Sequence, residues 1–282
     1  MVRGVLRAAT SLGPERTEKT LRAIFRWLSP ILSHNQTASA NIALAFPEKG
    51  EAERKRILRG CWDNLAKVVA EFLFFDTLAQ ELEAPPEESR IVLVGTDIDI
   101  LRDDGKPAVI FSAHLGNWEL LSVLAEKRGL KTVLPFRRMR NAQIADELQQ
   151  RRRTMMGRLV TSVRGSSLEI AAAMERGEHL GIMIDQRLNS GIPVPFFGRP
   201  ALSNPLAAKL ARQFDCPVYG ARAIRLSGDR IQLELTPPIA LPRDREGRID
   251  VPAATARMTE IVEDWVREHP EQWFWFHDRW RM

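Results

Sequence analysis

The sequence predicts an α/β protein, with a mostly parallel or mixed central sheet flanked by helices and a helical N-terminal segment suited to a membrane surface. Three observations predict it. From residue 90 onward, apolar runs of strand length alternate with segments of helical period, the pattern of a sheet covered on both faces. Residues 1–82 carry helical periodicity alone, and the two parts are expected to pack as one compact unit. With 282 residues and 44% hydrophobic content, the chain can bury a full core without cross-links. Cys61 and Cys216 lie far apart with no Cys or His at ligand spacing, so neither a disulfide framework nor a metal site is indicated, and a reducing compartment fits.

In chain order, Leu21, Ile24, Phe25 and Leu28 fall at i, i+3, i+4 and i+7, with Lys19, Arg22 and Arg26 on the other side. Such a helix can lie on an anionic membrane or pack on its own domain, and both roles are compatible. No run reaches the roughly 18 apolar residues needed to span a bilayer. Glu51 to Phe75 reads as a long amphipathic helix with a core stripe of Leu58, Cys61, Trp62, Leu65, Val69 and Phe72. The segment 83–89, with Pro85 and Pro86, reads as a stiff polar link into an α/β body over 90–282. There, strands are expected at 91–94, 108–113, 131–134, 159–163, 180–184, 218–224 and 231–235, with crossover helices at 119–128, 141–156, 167–176 and 205–214.

Ligands of such folds sit at the carboxyl ends of strands, and two polar groups fall there: His114 after the 108–113 strand and Asp185 after the 180–184 strand. Around His114 the sequence runs Ser112-Ala113-His114-Leu115-Gly116-Asn117-Trp118-Glu119, a strand, a turn and a helix start. Five positions on one helix amount to about 140° off the starting face, so His114 and Glu119 meet only if His114 ends the strand. In that geometry Glu119 can fix the imidazole tautomer and leave the other nitrogen as a base. Alternatively, Glu119 is a first-turn carboxylate favoured by the helix dipole. Backbone N–H groups at Gly116-Asn117 are candidate oxyanion donors, and Ser112 reads as a packed small residue rather than a nucleophile. A net charge of +5, largely from arginine, points to anionic partners. Nucleic acid is disfavoured because no binding motif accompanies the arginines, and no phosphate loop or dinucleotide fingerprint is present.

Several blocks in order resemble the late acyltransferases of lipid A biosynthesis, the lauroyl/myristoyl transferase family: Asn41 to Glu48, the His-x4-acid block at His114 and Glu119, Phe136 to Asn141, Met174 to Gln186, Val194 to Ala201 and His269 to Arg281. The resemblance covers nearly the whole chain, but the strongly apolar N-terminal span common in that family is absent. It implies transfer of a fatty acyl chain, laurate-like, from an acyl carrier protein thioester to a hydroxyl of a Kdo-bearing lipid A precursor, without cofactor or metal. It further implies His114 as base and Glu119 as its orienting acid, with Arg137 and Asn141 matching an Arg-x3-Asn pattern for the substrate and Asp185-Gln186 matching an acidic block. Arg138, Arg140 and Arg164 are further candidates for a phosphate or acidic sugar, or form solvated loops.

The implied location is the cytoplasmic face of the inner membrane, peripheral or monotopic. The apolar Pro193 to Gly198 segment suits an acyl-chain wall or the core, and the aromatic stretch Trp265 to Trp280 suits a membrane interface or C-terminal packing. Alternative readings are acylation of another glycolipid or lysolipid, of phosphatidylinositol mannoside or ornithine-lipid type, and a non-catalytic basic protein that binds membranes.

Overall fold

A computed structural model describes residues 11–136, 152, 154–161 and 165–280. Four helices come first: α1 (Pro14–Leu28), α2 (Ser33–Ala45), α3 (Glu51–Leu73) and α4 (Phe75–Glu81). The body follows as β1 (Ile91–Gly95), α5 (Ile98–Asp103), β2 (Val109–Ser112), α6 (Glu119–Lys127), β3 (Thr132–Phe136), β4 (Arg158–Thr161), α7 (Ser166–Glu175) and β5 (His179–Met183). A hairpin of β6 (Ile192–Phe196) and β7 (Arg199–Ser203) then precedes α8 (Leu206–Phe214), β8 (Val218–Arg225), β9 (Ile231–Leu235) and α9 (Val251–Glu268). All seven strands expected in the body form within a few residues of their anticipated bounds.

These seven make one sheet in the order β1-β9-β8-β2-β5-β3-β4, parallel throughout except for the β8/β9 pair. β2 and β5 lie at its centre and are apolar along most of their length, because helices cover both faces. The helical N-terminal part shares this core: Ile42, Phe46 and Trp62 belong to the same buried cluster as Val109, Phe111 and Leu180. Among the described residues, no helix is long and apolar enough to cross a membrane.

One partly buried polar network sets how α3 meets the sheet. Arg225 of β8 places Nη1 and Nη2 2.6 Å from the two Glu71 oxygens of α3, and its Nε 2.7 Å from Asn64 Oδ1. Asn64 Nδ2 donates to the Gln272 carbonyl at 2.9 Å, and Asn117 Nδ2 donates to Glu71 Oε2 at 2.8 Å. This network holds the turn after β2 from beneath. Gly116 sits there at φ 55°, and any Cβ on it would collide with the Ala223 carbonyl oxygen, so only glycine lets the turn lie against β8.

The Pro193 to Gly198 stretch is β6 with its turn, and it lines no acyl cavity. Phe196 and Phe197 pack edge-on against Trp273 and Trp280, in an aromatic cluster under the C-terminal tail. The tail is itself core, with Trp273, Trp275 and Phe276 buried, so its aromatic richness serves packing rather than a membrane interface.

Glu71→Ala should lose about 1–3 kcal/mol in denaturant unfolding, because it leaves the partly buried Arg225 guanidinium without its anion. Glu71→Gln, which keeps an acceptor for Asn117, should lose less.

Candidate functional site

The site begins with strand register. β2 and β5 pair in parallel from Val109↔Leu180 to Ser112↔Met183, and the Ile184 N–H reaches the Ser112 carbonyl at 3.0 Å. Continued past the strand ends, this register sets Asp185 beside His114. Asp185 Oδ1 lies 2.8 Å from His114 Nδ1, and Oδ2 accepts the His114 backbone N–H at 2.9 Å. A third donor comes from the C-terminal tail, where Trp273 Nε1–H reaches Oδ2 at 2.8 Å.

Asp185, and not Glu119, is therefore the acid that orients the imidazole. The Glu119 carboxylate is engaged by Arg152, whose Nε lies 3.2 Å from Oε2 while Nη2 takes Oε1. The left-handed turn at Gly116 separates Glu119 from the ring, whereas the paired strand delivers Asp185 to it. Glu119 still lines the same cavity. Asp185 is correspondingly not a substrate ligand: its side chain is fully buried and its oxygens are taken.

Because Asp185 accepts at Nδ1, that nitrogen carries the ring proton, and Nε2 presents its lone pair. Gln186 Nε2 stands 3.5 Å from it, a long contact that an incoming hydroxyl can replace. Trp118 meets the ring edge-on with centroids 5.1 Å apart, and Phe274 lies at 6.0 Å, so aromatic faces restrict the ring on its remaining sides.

The electrostatics follow from burial and charge. Burial alone would favour a neutral His114, but the Asp185 charge and hydrogen bond, with Glu119 further off, outweigh it and raise the imidazole above its ordinary value. For Asp185, burial opposes ionisation, and His114, His277 and the backbone N–H overcome it, holding the carboxyl well below the usual range. His277 lies behind the pair, with Nε2 3.2 Å from the Asp185 carbonyl oxygen and Nδ1 3.1 Å from the Phe274 carbonyl oxygen. Burial pushes it down to about 4 despite the pull of Asp185, so it stays neutral near pH 7.

A cavity of about 770 Å³ opens at His114, lined by Trp118, Glu119, Arg152, Gln186 and a largely apolar remainder from the sheet and α6. Of the anticipated substrate residues, Gln186 is at the cavity and Asp185 is beneath it. Arg137, Asn141 and Arg164, with Arg138 and Arg140, lie outside the described residues. The Gly116 N–H is donated to the Gln272 carbonyl at 3.0 Å and is not an oxyanion donor. Sequence reasoning missed Trp273 and His277, which stand in the His269 to Arg281 block; a histidine and an indole among buried aromatics were the available signal. It also missed Arg152, whose partner is visible only in three dimensions. No group of His, Cys, Asp and Glu able to hold a metal occurs among the described residues.

An NMR titration of the imidazoles should find His114 as the Nδ1–H tautomer with a midpoint above the ordinary value of about 6.5, and His277 near 4. Asp185→Asn should lower the His114 midpoint by removing the facing anion. His277 takes up its proton more readily unfolded than folded, so its share of stability should fall as pH drops from about 6.5 toward about 4.

The sequence matches the family described as bacterial lipid A biosynthesis acyltransferase over residues 1–282. Among curated relatives, it is 23% identical to a protein named lipid A biosynthesis acyltransferase 2 from Shigella flexneri, over 290 residues that cover 97% of this chain and 86% of the relative. A match over the whole length of the chain identifies it as a member of the bacterial lipid A biosynthesis acyltransferase family.

Proposed function

We propose that this acyltransferase moves a laurate-like acyl chain from an acyl carrier protein thioester to a hydroxyl of a Kdo-bearing lipid A precursor. The observation that carries the reading is the His114 ring, held by Asp185 at Nδ1 and open to an apolar cavity at Nε2. An alkyl hydroxyl is a weak nucleophile near neutral pH. His114 Nε2 takes its proton as the oxygen attacks the thioester carbonyl, a contribution of roughly 10²- to 10⁴-fold. Asp185 stabilises the imidazolium formed. The tetrahedral intermediate collapses with loss of the C–S bond, and the imidazolium returns the proton to the departing thiolate. We assign Gln186, whose amide nitrogen lies 3.5 Å from His114 Nε2, to the carbonyl oxygen as its charge grows. No covalent acyl-enzyme is needed. Ser112 is buried, and its hydroxyl lies 3.4 Å from the Ala113 carbonyl.

His114→Ala and Asp185→Asn should each lower kcat/KM by about 10²-fold or more, His114→Ala with normal circular dichroism. Activity should rise with pH as His114 loses its proton, with an apparent pKa above the ordinary imidazole value because that pKa is raised. Asp185→Asn should move this limb to lower pH, and Glu119→Gln should move it less. A normal rate in His114→Ala with acyl carrier protein thioester and lipid acceptor would remove the assignment.

The acceptor is a lipid, and we propose peripheral attachment at the cytoplasmic face of the inner membrane through α1 and the turn after it. Trp27 and Ile31 are both 78% exposed, and Ile24 and Leu32 lie exposed beside them. Phe25 does not belong to this face, because it packs edge-on against Trp62 of α3 with centroids 5.9 Å apart. Arg22 and Arg26 are not free for headgroups either, since both bind Asp63 of α3, at 3.3 and 2.6 Å. Attachment therefore rests more on apolar burial than on charge.

Trp27→Asp with Ile31→Asp should release the protein from phosphatidylglycerol vesicles in sedimentation while leaving its melting temperature unchanged. Phe25→Asp should lower the melting temperature instead. Vesicle binding that survives the double variant would place attachment elsewhere.

A further inference from the structure

The contacts around the base close on themselves through the C-terminal tail. We infer that His277 is a positioning residue of the site: by holding the Asp185–Gln186 peptide, it sets where the Asp185 carboxylate and the Gln186 amide stand against the His114 ring. Its placement stands on the geometry of the tail, and its effect on turnover rests on the acyl-transfer reading above.

The circuit runs from His114 to Phe274, His277, Asp185 and back. Asp185 receives the His114 backbone N–H and faces the ring at Nδ1, while the Phe274 N–H donates to the His114 carbonyl at 3.0 Å. His277 joins the two remaining ends, with Nδ1 3.1 Å from the Phe274 carbonyl oxygen and Nε2 3.2 Å from that of Asp185. A neutral imidazole carries one ring proton, so one of these two contacts is a hydrogen bond. The negative charge of Asp185 draws the N–H dipole to its side, which places the proton on Nε2. Phe274 is kept in place by its own N–H and by its ring, which lies within 8° of parallel to His277 with centroids 6.4 Å apart.

The held peptide controls both edges of the imidazole. Beyond the bond from the Ile184 N–H to the Ser112 carbonyl, the Asp185 carbonyl is met by the His277 ring instead of a neighbouring strand. Rotation of that peptide would move the side chains on either side of it: Asp185, which meets the ring at Nδ1, and Gln186, which meets it at Nε2. The support is itself fixed. Asn41 of α2 donates to the His277 and Trp275 carbonyls at 2.6 and 2.9 Å, and Arg279 ties the tail to β7 through the Leu202 carbonyl and Ser203 Oγ. The Trp273 indole meets the His277 ring edge-on at 5.4 Å, and the charged or titratable groups around it are Asp185, His114 and Arg279. An apolar ring would fill the same space and leave the Asp185 carbonyl without this donor, so shape and hydrogen bond can be separated.

The test uses the full chain with three replacements. His277→Phe keeps the aromatic shape, His277→Gln carries an amide as far out as Nε2, and His277→Asn carries one only as far as Nδ1. With acyl carrier protein thioester and a lipid A precursor, His277→Phe and His277→Asn should lower kcat by about tenfold and change KM by less than about twofold, whereas His277→Gln should recover most of the rate. An NMR titration without substrate should find the His114 midpoint lowered in His277→Phe and His277→Asn and restored in His277→Gln, because a displaced Asp185 holds the imidazolium less well. Should His277→Phe fail to fold, the comparison of His277→Gln with His277→Asn carries the test. Equal kcat in those two variants, or a His114 midpoint in His277→Asn equal to that of the wild type, would overturn the role. Lowered midpoints in a protein that acylates no lipid acceptor would reject the reaction and keep His277 as the residue that positions Asp185.

Discussion

Much of this structure depends on one buried anion. An ionised carboxylate taken from water is costly unless donors surround it, and Asp185 is surrounded by the His114 N–H, the His114 ring and the Trp273 indole. Those donors come from two distant parts of the chain, so the carboxylate ties the C-terminal tail to the centre of the sheet. Arg279 adds to this field. Its guanidinium is fully buried, donates to the Leu202 carbonyl at 2.9 Å and to Ser203 Oγ at 2.6 Å, and stacks on Phe196. Burial brings Arg279 down to about 10, against the pull of Asp185, and leaves it cationic near pH 7.

That arrangement explains how a strand end holds an imidazole in one orientation. Parallel pairing of β2 and β5 fixes the distance between His114 and Asp185 through the backbone ladder, which is more rigid than a side chain reaching round a turn. α3 fixes the other side through Glu71, Asn64 and Arg225, so the turn at Gly116 is held from two directions. Glu119 and Arg152 then form a neutralised pair in the cavity wall, with the Arg152 guanidinium 5.8 Å from the Phe72 ring centre. The cavity thus keeps an apolar character next to the polar His114–Asp185 pair.

The N-terminal helix has the same two-sided logic. One face of α1 is joined to α3 by the Asp63 ion pairs and the Phe25–Trp62 contact, and the other leaves Trp27 uncovered. Packing on α3, one of the two roles compatible with the helical period, thus takes Phe25, Arg22 and Arg26 and leaves Trp27 exposed on the other face.

By itself, the sequence determined the strands, their alternation with helices, and the crevice at which His114 and Asp185 meet. These are local properties, since apolar runs and helical period are written in neighbouring residues. Spacing along the chain suggested Glu119 as the partner of His114, because a His-x4-acid pattern is visible locally. The true partner lies 71 residues away, by strand order and register, which no local pattern encodes. The same holds for Trp273 and for the Arg152 that holds Glu119. Exposure decided the rest: periodicity reports that a face is apolar, but only packing decides whether Phe25 or Trp27 is covered, and the aromatic tail proved to be core because β6, β7 and α3 close over it.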